Sequence, residues 1–288
     1  MKKIDLHVHT NKSDGTFSPE EVIDYASTVN LCAIAITDHD TVSGIAPAIA
    51  HGRKYGIEVV PGIEISAEWT EERDELEIHI LGYYIDYQNP EFQKRLDELS
   101  IARMRRAERI LEKLRSYNIA LEIEDVQEFT TTTNEFGTPW IGRLHIAQAM
   151  VKKGYVPSIN SAFDQYIGNN KCCYVPKHQL NPEGAIQVIK GVNGIAVFAH
   201  PGLLEMNFAD SLIRRLEKCG LDGIEVYYPE HTQEVTRHLE EMARANNLLI
   251  TGGTDCHGLA RGRIMMGTLE ISYELLEKLK ERKNKAGL

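Results

Sequence analysis

Seven short apolar segments recur along this 288-residue chain, and each of them ends in at least one histidine, aspartate or glutamate. Residues 33–36 are typical, because Ala-Ile-Ala-Ile is a continuous apolar run, as in strands buried on both faces of a parallel sheet. Helix signals separate most of the segments, such as the Ser18-Pro19 start pattern and the terminating Gly56. Seven strands connected by helices predict an α/β fold with a closed or nearly closed parallel barrel.

The alternation of strands and helices stops near Pro90 and resumes near Pro182. Apolar side chains follow one another after Pro90 at roughly helical spacing, at Leu96, Leu99, Met104, Ala107, Leu111 and Leu114. The arginines of this helix are interpreted as a solvated face: Arg103, Arg105, Arg106 and Arg109. We predict a barrel domain formed by residues 1–89 and 183–288, and a mainly helical inserted (cap) domain formed by residues 90–182.

Polar residues at the strand ends indicate where the function lies. Side chains alternate between the two faces of a strand, so His7 and His9 share one face of the first strand, opposite Leu6 and Val8. Similar residues lie at or near the end of every predicted strand: His7, His9, Asp38, His39, Glu64, His79, His200, His231, Asp255 and His257. Each one alone has an ordinary structural explanation. Because the carboxyl ends of the strands form the rim where barrel enzymes build their active sites, the whole set predicts a functional site.

These histidines and carboxylates exceed the needs of one metal ion. A single zinc or similar ion takes about four to six ligands of these types. We therefore predict two or three divalent ions that share a bridging carboxylate, and manganese, iron and zinc all accept such ligands. Clustered divalent ions hold a water or hydroxide, bind phosphoryl oxygens and neutralise charge during displacement at phosphorus. No phosphate-binding glycine loop and no serine-nucleophile motif competes with this interpretation.

Composition narrows the class of protein further. The formal net charge of −10 argues against a general nucleic-acid-binding surface, although it leaves room for a small basic pocket. We find no segment of about 18 apolar residues and no apolar signal segment, so we expect neither a membrane span nor secretion. The five cysteines form no zinc-binding pair, which favours a reduced, cytoplasmic protein. No membrane association and no stable protein partner are predicted.

Five segments at the strand ends resemble the motifs of the polymerase and histidinol phosphatase (PHP) superfamily: 5–9 (DLHVH), 37–39 (TDH), 61–64 (PGIE), 199–201 (AHP) and 253–258 (GTDCHG). The resemblance covers most of the chain outside the insertion. It implies a distorted (β/α)7 barrel that carries three metal ions. The chain departs from the family pattern at Asp14, where many members have histidine.

The resemblance also implies which residues bind the ions. It assigns nine ligands: His7, His9, Glu64 and Asp255 to the first ion, Glu64, His79 and His200 to the second, and Asp14, His39 and His257 to the third. Glu64 would bridge two ions. Asp255 or His200 would also steer the proton of the nucleophile or leaving group, so Glu64, His200 and Asp255 are the predicted catalytic residues.

Four further segments resemble a branch that includes 3′,5′-nucleoside bisphosphate phosphatases and AMP phosphatases: 13–16 (SDGT), 141–147 (IGRLHIA), 174–177 (YVPK) and 227–232 (YYPEHT). Close relatives of that branch trim RNA from the 5′ end. The resemblance implies a phosphoesterase in which a metal-activated hydroxide attacks a phosphate of a nucleotide or of short 5′-phosphorylated RNA. Arg143 and Lys177 of the insertion and His231 at the sixth strand end are the predicted substrate-binding residues.

Two other functions remain open at this stage. Histidinol-phosphate phosphatase would use the same metal site on a substrate that has an amine and an imidazole but no second phosphate. A non-catalytic PHP module would keep the fold for stability or partner binding. Loss of metal ligands would mark such a module, whereas the predicted ligand set is intact here.

Overall fold

The structure is a computed structural model, and it describes residues 2–71, 74–130, 141–176 and 180–286. Within these ranges one sheet contains eight strands: β1 (Lys3–Val8), β2 (Leu31–Ile36), β3 (Glu58–Glu71), β4 (Asp74–Tyr83), β5 (Ile195–Phe198), β6 (Gly223–Tyr227), β7 (Leu249–Gly252) and β8 (Ile271–Ser272). The same ranges contain ten α-helices: α1 (Pro19–Thr28), α2 (Ile45–Tyr55), α3 (Pro90–Arg115), α4 (Ile123–Gln127), α5 (Arg143–Lys152), α6 (Ile159–Ala162), α7 (Pro182–Gly191), α8 (Met206–Glu217), α9 (Gln233–Ala245) and α10 (Glu274–Ala286). None of the described helices is long and apolar enough to cross a membrane.

The strands form a nearly closed barrel. Their order in the sheet is β7-β6-β5-β4-β3-β2-β1-β8. Beyond β7 the chain returns to β1, where Val8 and Cys256 form a parallel bridge and the amide of His9 donates to the carbonyl of Cys256 at 2.9 Å. The short β8 pairs with the other end of β1 in antiparallel fashion, with Ile4 opposite Ile271. The fold is a distorted α/β barrel. The sequence pattern predicts the nearly closed α/β barrel, and the family resemblance implies its distortion.

Strand β4 departs from the predicted parallel arrangement. It pairs antiparallel with both β3 and β5. A parallel neighbour needs a crossover of a dozen or more residues, and only residues 72 and 73 separate β3 from β4. The prediction that His79 lies at the carboxyl end of its strand is therefore wrong. His79 lies inside β4, opposite Ser66 of β3, and the reversed direction of the strand still brings it to the rim.

Local sequence signals account for the helix ends near the rim. Ser18 caps α1, because its hydroxyl accepts from the Glu21 amide at 3.2 Å while the Glu21 carboxylate accepts from the Ser18 amide at 2.7 Å. Helix α2 ends at Gly56, whose φ of 67° lies in the left-handed region that glycine adopts without steric cost. Both predicted helix ends are confirmed.

Buried apolar side chains cluster separately in the barrel and in the insertion. Helix α3 belongs to both clusters. Phe92 and Leu96 near its start pack into the barrel core, whereas Ile110 and Leu114 near its end pack with residues of α4 and α5. The insertion thus has its own apolar core and a helix anchored in the barrel. The domain boundaries at residues 90 and 182 stay a prediction.

Candidate metal centre and adjoining cavity

Strand β1 brings two histidines to the inside of the rim. His7 and His9 are fully buried, and their ring centroids lie 5.2 Å apart. The segment after β7 approaches them closely, since a Cβ atom at Gly253 would lie only 2.2 Å from the Cβ of His7. Glycine is required at position 253 because any side chain there would push the two strand ends apart.

Four ligand atoms converge between β1, β3 and the segment after β7. The Nε2 atoms of His7 and His9 lie 3.2 and 3.0 Å from Oε2 of Glu64. The same nitrogens lie 3.3 and 3.1 Å from Oδ1 of Asp255. These are the four residues predicted for the first ion, and all of them are buried. Two imidazoles and two carboxylates suit a single divalent cation.

Two further groups adjoin the first. In each of them the ligand atoms lie within 4.8 Å of one another: His9, Asp14, His39 and His257 in one, and His39, Glu64 and His79 in the other. Nε2 of His200 completes the set, 3.3 Å from Oε1 of Glu64. The structure thus brings all nine predicted ligands together. Their roles as ligands stay a prediction.

Unsatisfied polar atoms provide an independent test of whether this cluster fits metal ions. Nε2 of His7, Nε2 of His9, Oε2 of Glu64 and Nδ1 of His79 are buried and have no hydrogen-bond partner in the described part of the chain. A buried polar atom without a partner costs about 1–3 kcal/mol. Divalent cations would coordinate these atoms, so the residues present fit a metal centre.

The charges of the cluster also favour cations. Burial lowers the pKa of His9, but the carboxylates of Asp255 and Glu64 outweigh burial and raise it to about 10. Burial raises the pKa of Glu64 and of Asp255, yet the surrounding histidines hold both well below their usual range. Burial lowers the pKa of His39 to about 3, which keeps this imidazole neutral. Without metal, protons on the histidines balance the carboxylates, and metal ions would replace those protons.

Glu225 of β6 orients His7 through the ring nitrogen that does not face the other predicted ligands. Its carboxylate is fully buried and accepts from Nδ1 of His7, with its two oxygens 3.1 and 3.2 Å away. This hydrogen bond sets the tautomer that directs Nε2 of His7 toward Glu64 and Asp255. Carboxylates commonly orient metal-binding histidines in this way. Glu225 is not among the residues predicted from the sequence, although an acid inside an apolar strand is a visible signal.

Two of the predicted ligands have left-handed backbone conformations. The φ angles of His200 and Asp255 are 32° and 51°, a region that costs a non-glycine residue about 1–3 kcal/mol. Glu225 secures the first, since it accepts from the His200 amide at 2.9 Å. The Tyr228 hydroxyl and the Arg261 guanidinium fix the side chain of Asp255, since both donate to its Oδ2 at 3.1 Å. Oδ1 of Asp255 therefore faces the histidines.

Asp38 holds the loop that carries Asp14. Its buried carboxylate accepts from the Thr10 amide at 2.7 Å, from the Thr10 hydroxyl at 2.8 Å and from the Ser13 hydroxyl at 2.7 Å. Asp38, one of the polar residues at the strand ends, therefore supports the loop beside the cluster.

A cavity of about 670 Å³ adjoins this centre. Its wall includes three of the predicted ligands, Asp14, His39 and His257. Four arginines line the same cavity: Arg103, Arg106, Arg143 and Arg261. The volume suits a small organic ligand. The cavity therefore combines a candidate metal centre with several fixed cations.

Comparison with known proteins identifies the family. Residues 5–98 match the PHP domain. A 3′,5′-nucleoside bisphosphate phosphatase of Chromobacterium violaceum is 30% identical over 94% of this chain and 92% of its own length. The chain belongs to the PHP family. The predicted family is thereby confirmed.

Further PHP relatives support the same assignment. A 5′-3′ exoribonuclease of Escherichia coli is 33% identical over 88% of this chain and 84% of its own. The crystal structure of a Bifidobacterium adolescentis protein, assigned as a metal-dependent phosphoesterase, has a TM-score of 0.85 and 29% identity, with 98% of this chain and 96% of that chain covered. This PHP chain is a metal-dependent phosphoesterase and a hydrolase, which confirms the predicted enzyme class and excludes the non-catalytic module.

The predicted substrate-binding residues of this PHP protein differ in their surroundings. Arg143 lines the cavity, and its guanidinium donates to Glu77 at 2.6 Å. Lys177 lies outside the described residues. His231 is tied to the backbone, since its Nδ1 donates to the Val226 carbonyl at 2.9 Å and its Nε2 accepts from the Gly202 amide at 3.1 Å. Contact of these three residues with substrate stays a prediction.

The arginines of helix α3 in the insertion do not all lie on the predicted solvated face. Arg103 and Arg106 are buried, whereas Arg105 and Arg109 are exposed. Arg103 forms an ion pair with Asp40 at the rim and donates to the Ser66 hydroxyl at 3.2 Å. The interpretation of these arginines as solvated is therefore wrong for two of the four. The barrel rim covers Arg103, whereas Arg106 packs against Val175 and Tyr174 of the insertion.

Proposed function

We propose that this PHP protein removes phosphate from nucleotides of the 3′,5′-bisphosphonucleotide or AMP type, or trims 5′-phosphorylated RNA. The observation that carries the proposal is one unpaired nitrogen of an arginine that lines the cavity. Nη2 of Arg106 is buried and has no hydrogen-bond partner within the described residues. Because a buried guanidinium nitrogen requires an acceptor, a phosphate oxygen of the substrate would satisfy it.

The surroundings of Arg106 support an anion at this position. Its Nε donates to the Val175 carbonyl at 2.7 Å, which fixes the plane of the guanidinium. Burial and the nearby charge of Arg143 together lower the pKa of Arg106 to about 10. The lowered pKa reflects positive charges that lie close together in a partly desolvated cavity wall. A phosphate placed there would relieve the repulsion between the arginines.

The two sides of the cavity suggest different roles in substrate binding. The reacting phosphate would lie at the histidine cluster, and a second charged group of the substrate would lie at the arginines. Relatives that act on nucleoside bisphosphates and on RNA both have substrates with more than one phosphate. Histidinol phosphate and AMP each have no second phosphate for the arginines to hold, so a 3′,5′-bisphosphonucleotide or 5′-phosphorylated RNA suits this cavity better than either.

Glu64 would link two ions, because its oxygens face different histidines. Oε2 lies near His7 and His9, whereas Oε1 lies 2.8 Å from Nδ1 of His79 and 3.3 Å from Nε2 of His200. Divalent ions held there supply positive charge that polarises phosphoryl oxygens and lowers the pKa of water. Elemental analysis of the purified protein would identify these ions as manganese, iron or zinc.

Of the two residues predicted to steer a proton, His200 is the better placed. Asp255 has one oxygen engaged by Tyr228 and Arg261, and its pKa is held well below the usual range by nearby histidines against the effect of burial. The side chain of His200 is 15% exposed, against 6% for Asp255, and so is more accessible to a leaving group. We infer that His200 helps to steer the proton of the nucleophile or leaving group through Nδ1, because Nε2 is its predicted ligand atom.

We also infer a cytoplasmic location. All five cysteines are free thiols, including the adjacent Cys172 and Cys173, whose sulfur atoms lie 3.8 Å apart. Persistent disulfides mark oxidising compartments, and unpaired thiols are typical of reducing ones. Fractionation of cells that produce the native protein would test the location.

An activity screen tests the proposed substrate class. Manganese-loaded protein would be assayed on a 3′,5′-bisphosphonucleotide, AMP, short 5′-phosphorylated RNA, histidinol phosphate and p-nitrophenyl phosphate. We expect the highest kcat/KM on a nucleotide or on the RNA. A preference for histidinol phosphate over every nucleotide and RNA tested would overturn the proposal.

Replacement of Arg106 separates the arginine side of the cavity from the metal side. A charge-assisted hydrogen bond to phosphate contributes on the order of 1.5–3 kcal/mol. Arg106→Ala should therefore lower kcat/KM roughly tenfold to hundredfold on the preferred nucleotide or RNA. The same variant should change hydrolysis of p-nitrophenyl phosphate little, because this ester has no second charged group.

Arg105→Ala is the matched control, since Arg105 is the exposed neighbour of Arg106 on the same helix. It should keep wild-type kinetics on both substrates. Equal losses on both esters in Arg106→Ala would remove Arg106 from a role in specificity.

A further inference from the structure

Glu77 connects the metal centre to the insertion. It precedes His79 by two residues on β4, so the two side chains share one face of the strand. Its Oε1 lies 3.1 Å from Nε2 of His79, and its Oε2 accepts from Nη2 of Arg143 at 2.6 Å. A single carboxylate thus touches a predicted metal ligand of the barrel and an arginine of α5.

His79 uses its two ring nitrogens in opposite directions. Nδ1 is buried, has no hydrogen-bond partner in the described part of the chain, and lies 2.8 Å from Oε1 of Glu64. Nε2 points to Glu77. If Nε2 carries the proton, it donates to Glu77 and leaves the lone pair of Nδ1 for a metal ion. The hydrogen bond to Glu77 therefore decides which nitrogen can bind metal.

Arg143 is held firmly at the other end. Its Nη1 donates to Oδ1 of Asn169 at 2.8 Å and to the carbonyl of Ile167 at 3.3 Å. The guanidinium carbon also lies 5.7 Å from the ring centroids of both Phe163 and Tyr174. Because the planar guanidinium is fixed by so many neighbours, it presents Nη2 to Glu77 from a defined position.

We propose that Glu77 is a positioning residue through which Arg143 of the insertion orients His79 for metal binding. The inference rests on the proposed function, since it concerns the same metal centre. Glu77 is the part of the arrangement that transmits the effect, because Arg143 fixes one of its oxygens and the other then meets His79 in a constant direction. Without Arg143 the carboxylate can turn away, and His79 then loses its preferred tautomer and orientation.

Metal titration of protein stripped with a chelator tests the proposal directly. Outer hydrogen-bond partners of metal ligands typically contribute about 10-fold to 100-fold to metal affinity. Glu77→Ala should therefore bind manganese chloride about 10-fold to 100-fold more weakly than wild type, measured by isothermal titration calorimetry. Glu77→Gln should lose less affinity, because its amide oxygen can still accept from Nε2 of His79.

Glu68→Gln is the matched control. Glu68 is the cross-strand neighbour of Glu77 on β3, and it accepts from the hydroxyl of Tyr174, so it also contacts the insertion. Manganese affinity should be unchanged in this variant. Circular dichroism of each stripped variant would show that the fold is retained before its titration is compared.

A double-mutant cycle tests the transmission through Glu77. Arg143→Ala should weaken manganese binding in the wild-type background and have no further effect in the Glu77→Ala background, because coupled residues are not additive. An independent structural role of Arg143 would instead lower the affinity equally in both backgrounds, and that result would overturn the proposal. Unchanged manganese affinity in folded Glu77→Ala would overturn it as well.

Kinetics at saturating manganese provide a second readout. The loss in Glu77→Ala should then be largely recovered for p-nitrophenyl phosphate and for the preferred nucleotide alike, since the defect lies in metal binding. A loss confined to the nucleotide would assign Glu77 to substrate contact and overturn its positioning role. Failure of the wild-type protein to bind manganese, iron or zinc would instead overturn the proposed function, so the two failures are distinguishable.

Discussion

The two carboxylate oxygens of Asp255 contact different groups. Oδ2 accepts from Tyr228 and Arg261, whereas Oδ1 faces the Nε2 atoms of His7 and His9. The first oxygen fixes the side chain and the second is free to coordinate. A residue at this position must therefore supply negative charge as well as the correct shape.

Replacement of Asp255 by asparagine keeps the shape and removes the charge. Asparagine tolerates left-handed φ values better than most residues, so the φ of 51° should not be a reason for Asp255→Asn to misfold. We expect turnover to fall by at least about 100-fold, more than the loss typical for an outer partner of a ligand. Steady-state kinetics and elemental analysis of the same preparation would measure both effects. Near-normal activity with a full metal complement would contradict the assignment of Asp255.

At the scale of the elements, the site depends on the approach of β1 to the segment after β7. The two segments are linked by the bridge between Val8 and Cys256 and by the hydrogen bond from His9 to Cys256. His7 and His9 belong to one side of this seam, and Asp255 belongs to the other. The ligand set of the first ion therefore exists only while the barrel is closed.

Gly253→Ala should open this seam. The new Cβ would lie 2.2 Å from the Cβ of His7 and 2.4 Å from its amide nitrogen, so the backbone must move. Overpacking of this kind costs about 1–3 kcal/mol of unfolding free energy, and manganese affinity should fall with it. Chemical denaturation and metal titration would measure the two quantities.

Gly191→Ala provides the comparison for that experiment. Gly191 is the last residue of α7, and a Cβ there would meet nothing within 4 Å. This variant should be as stable as wild type or gain about 0.4–1 kcal/mol. If Gly253→Ala matched it in stability and manganese affinity, the close approach of the two strand ends would not be what holds the site together.

At the scale of the whole molecule, the metal centre is a buried group of charges whose balance depends on pH. Nearby carboxylates outweigh burial and raise the pKa of His9 to about 10 and of His79 to about 9 in the metal-free protein. An imidazole with a raised folded-state pKa stabilises the fold fully below its unfolded value near 6.5. That stabilisation is lost as the pH rises through the folded-state pKa.

We therefore expect metal-free protein to lose stability between about pH 6.5 and pH 10. Metal ions replace the protons on the histidines, so manganese-loaded protein should not show this decline, and binding at pH 7 should release protons. Denaturation across the pH range, with and without chelator, would measure the first effect, and calorimetry in buffers of different ionisation enthalpy would measure the second. Metal-free protein whose stability rose steadily to pH 10 would contradict the prediction.

Features that follow from local geometry could be predicted from the sequence alone. The His-x-His pattern places His7 and His9 on one face because side chains alternate along any strand. The caps at Ser18 and Gly56 form from residues only a few positions away. Polar residues at the strand ends predicted a common rim, and the family motifs led to the nine candidate ligands that the structure brings together.

The distant groups that complete the site could not be predicted in this way, because they meet only in the folded chain. Glu225 meets His7 across a separation of 218 residues, and Arg143 meets Glu77 across 66. The burial of Arg106 also depends on packing between remote segments, since its Nε donates to the Val175 carbonyl. Periodicity in a sequence reports which face a side chain occupies. It carries no information about which remote residue will lie opposite that face, because the packing of the whole chain decides that contact.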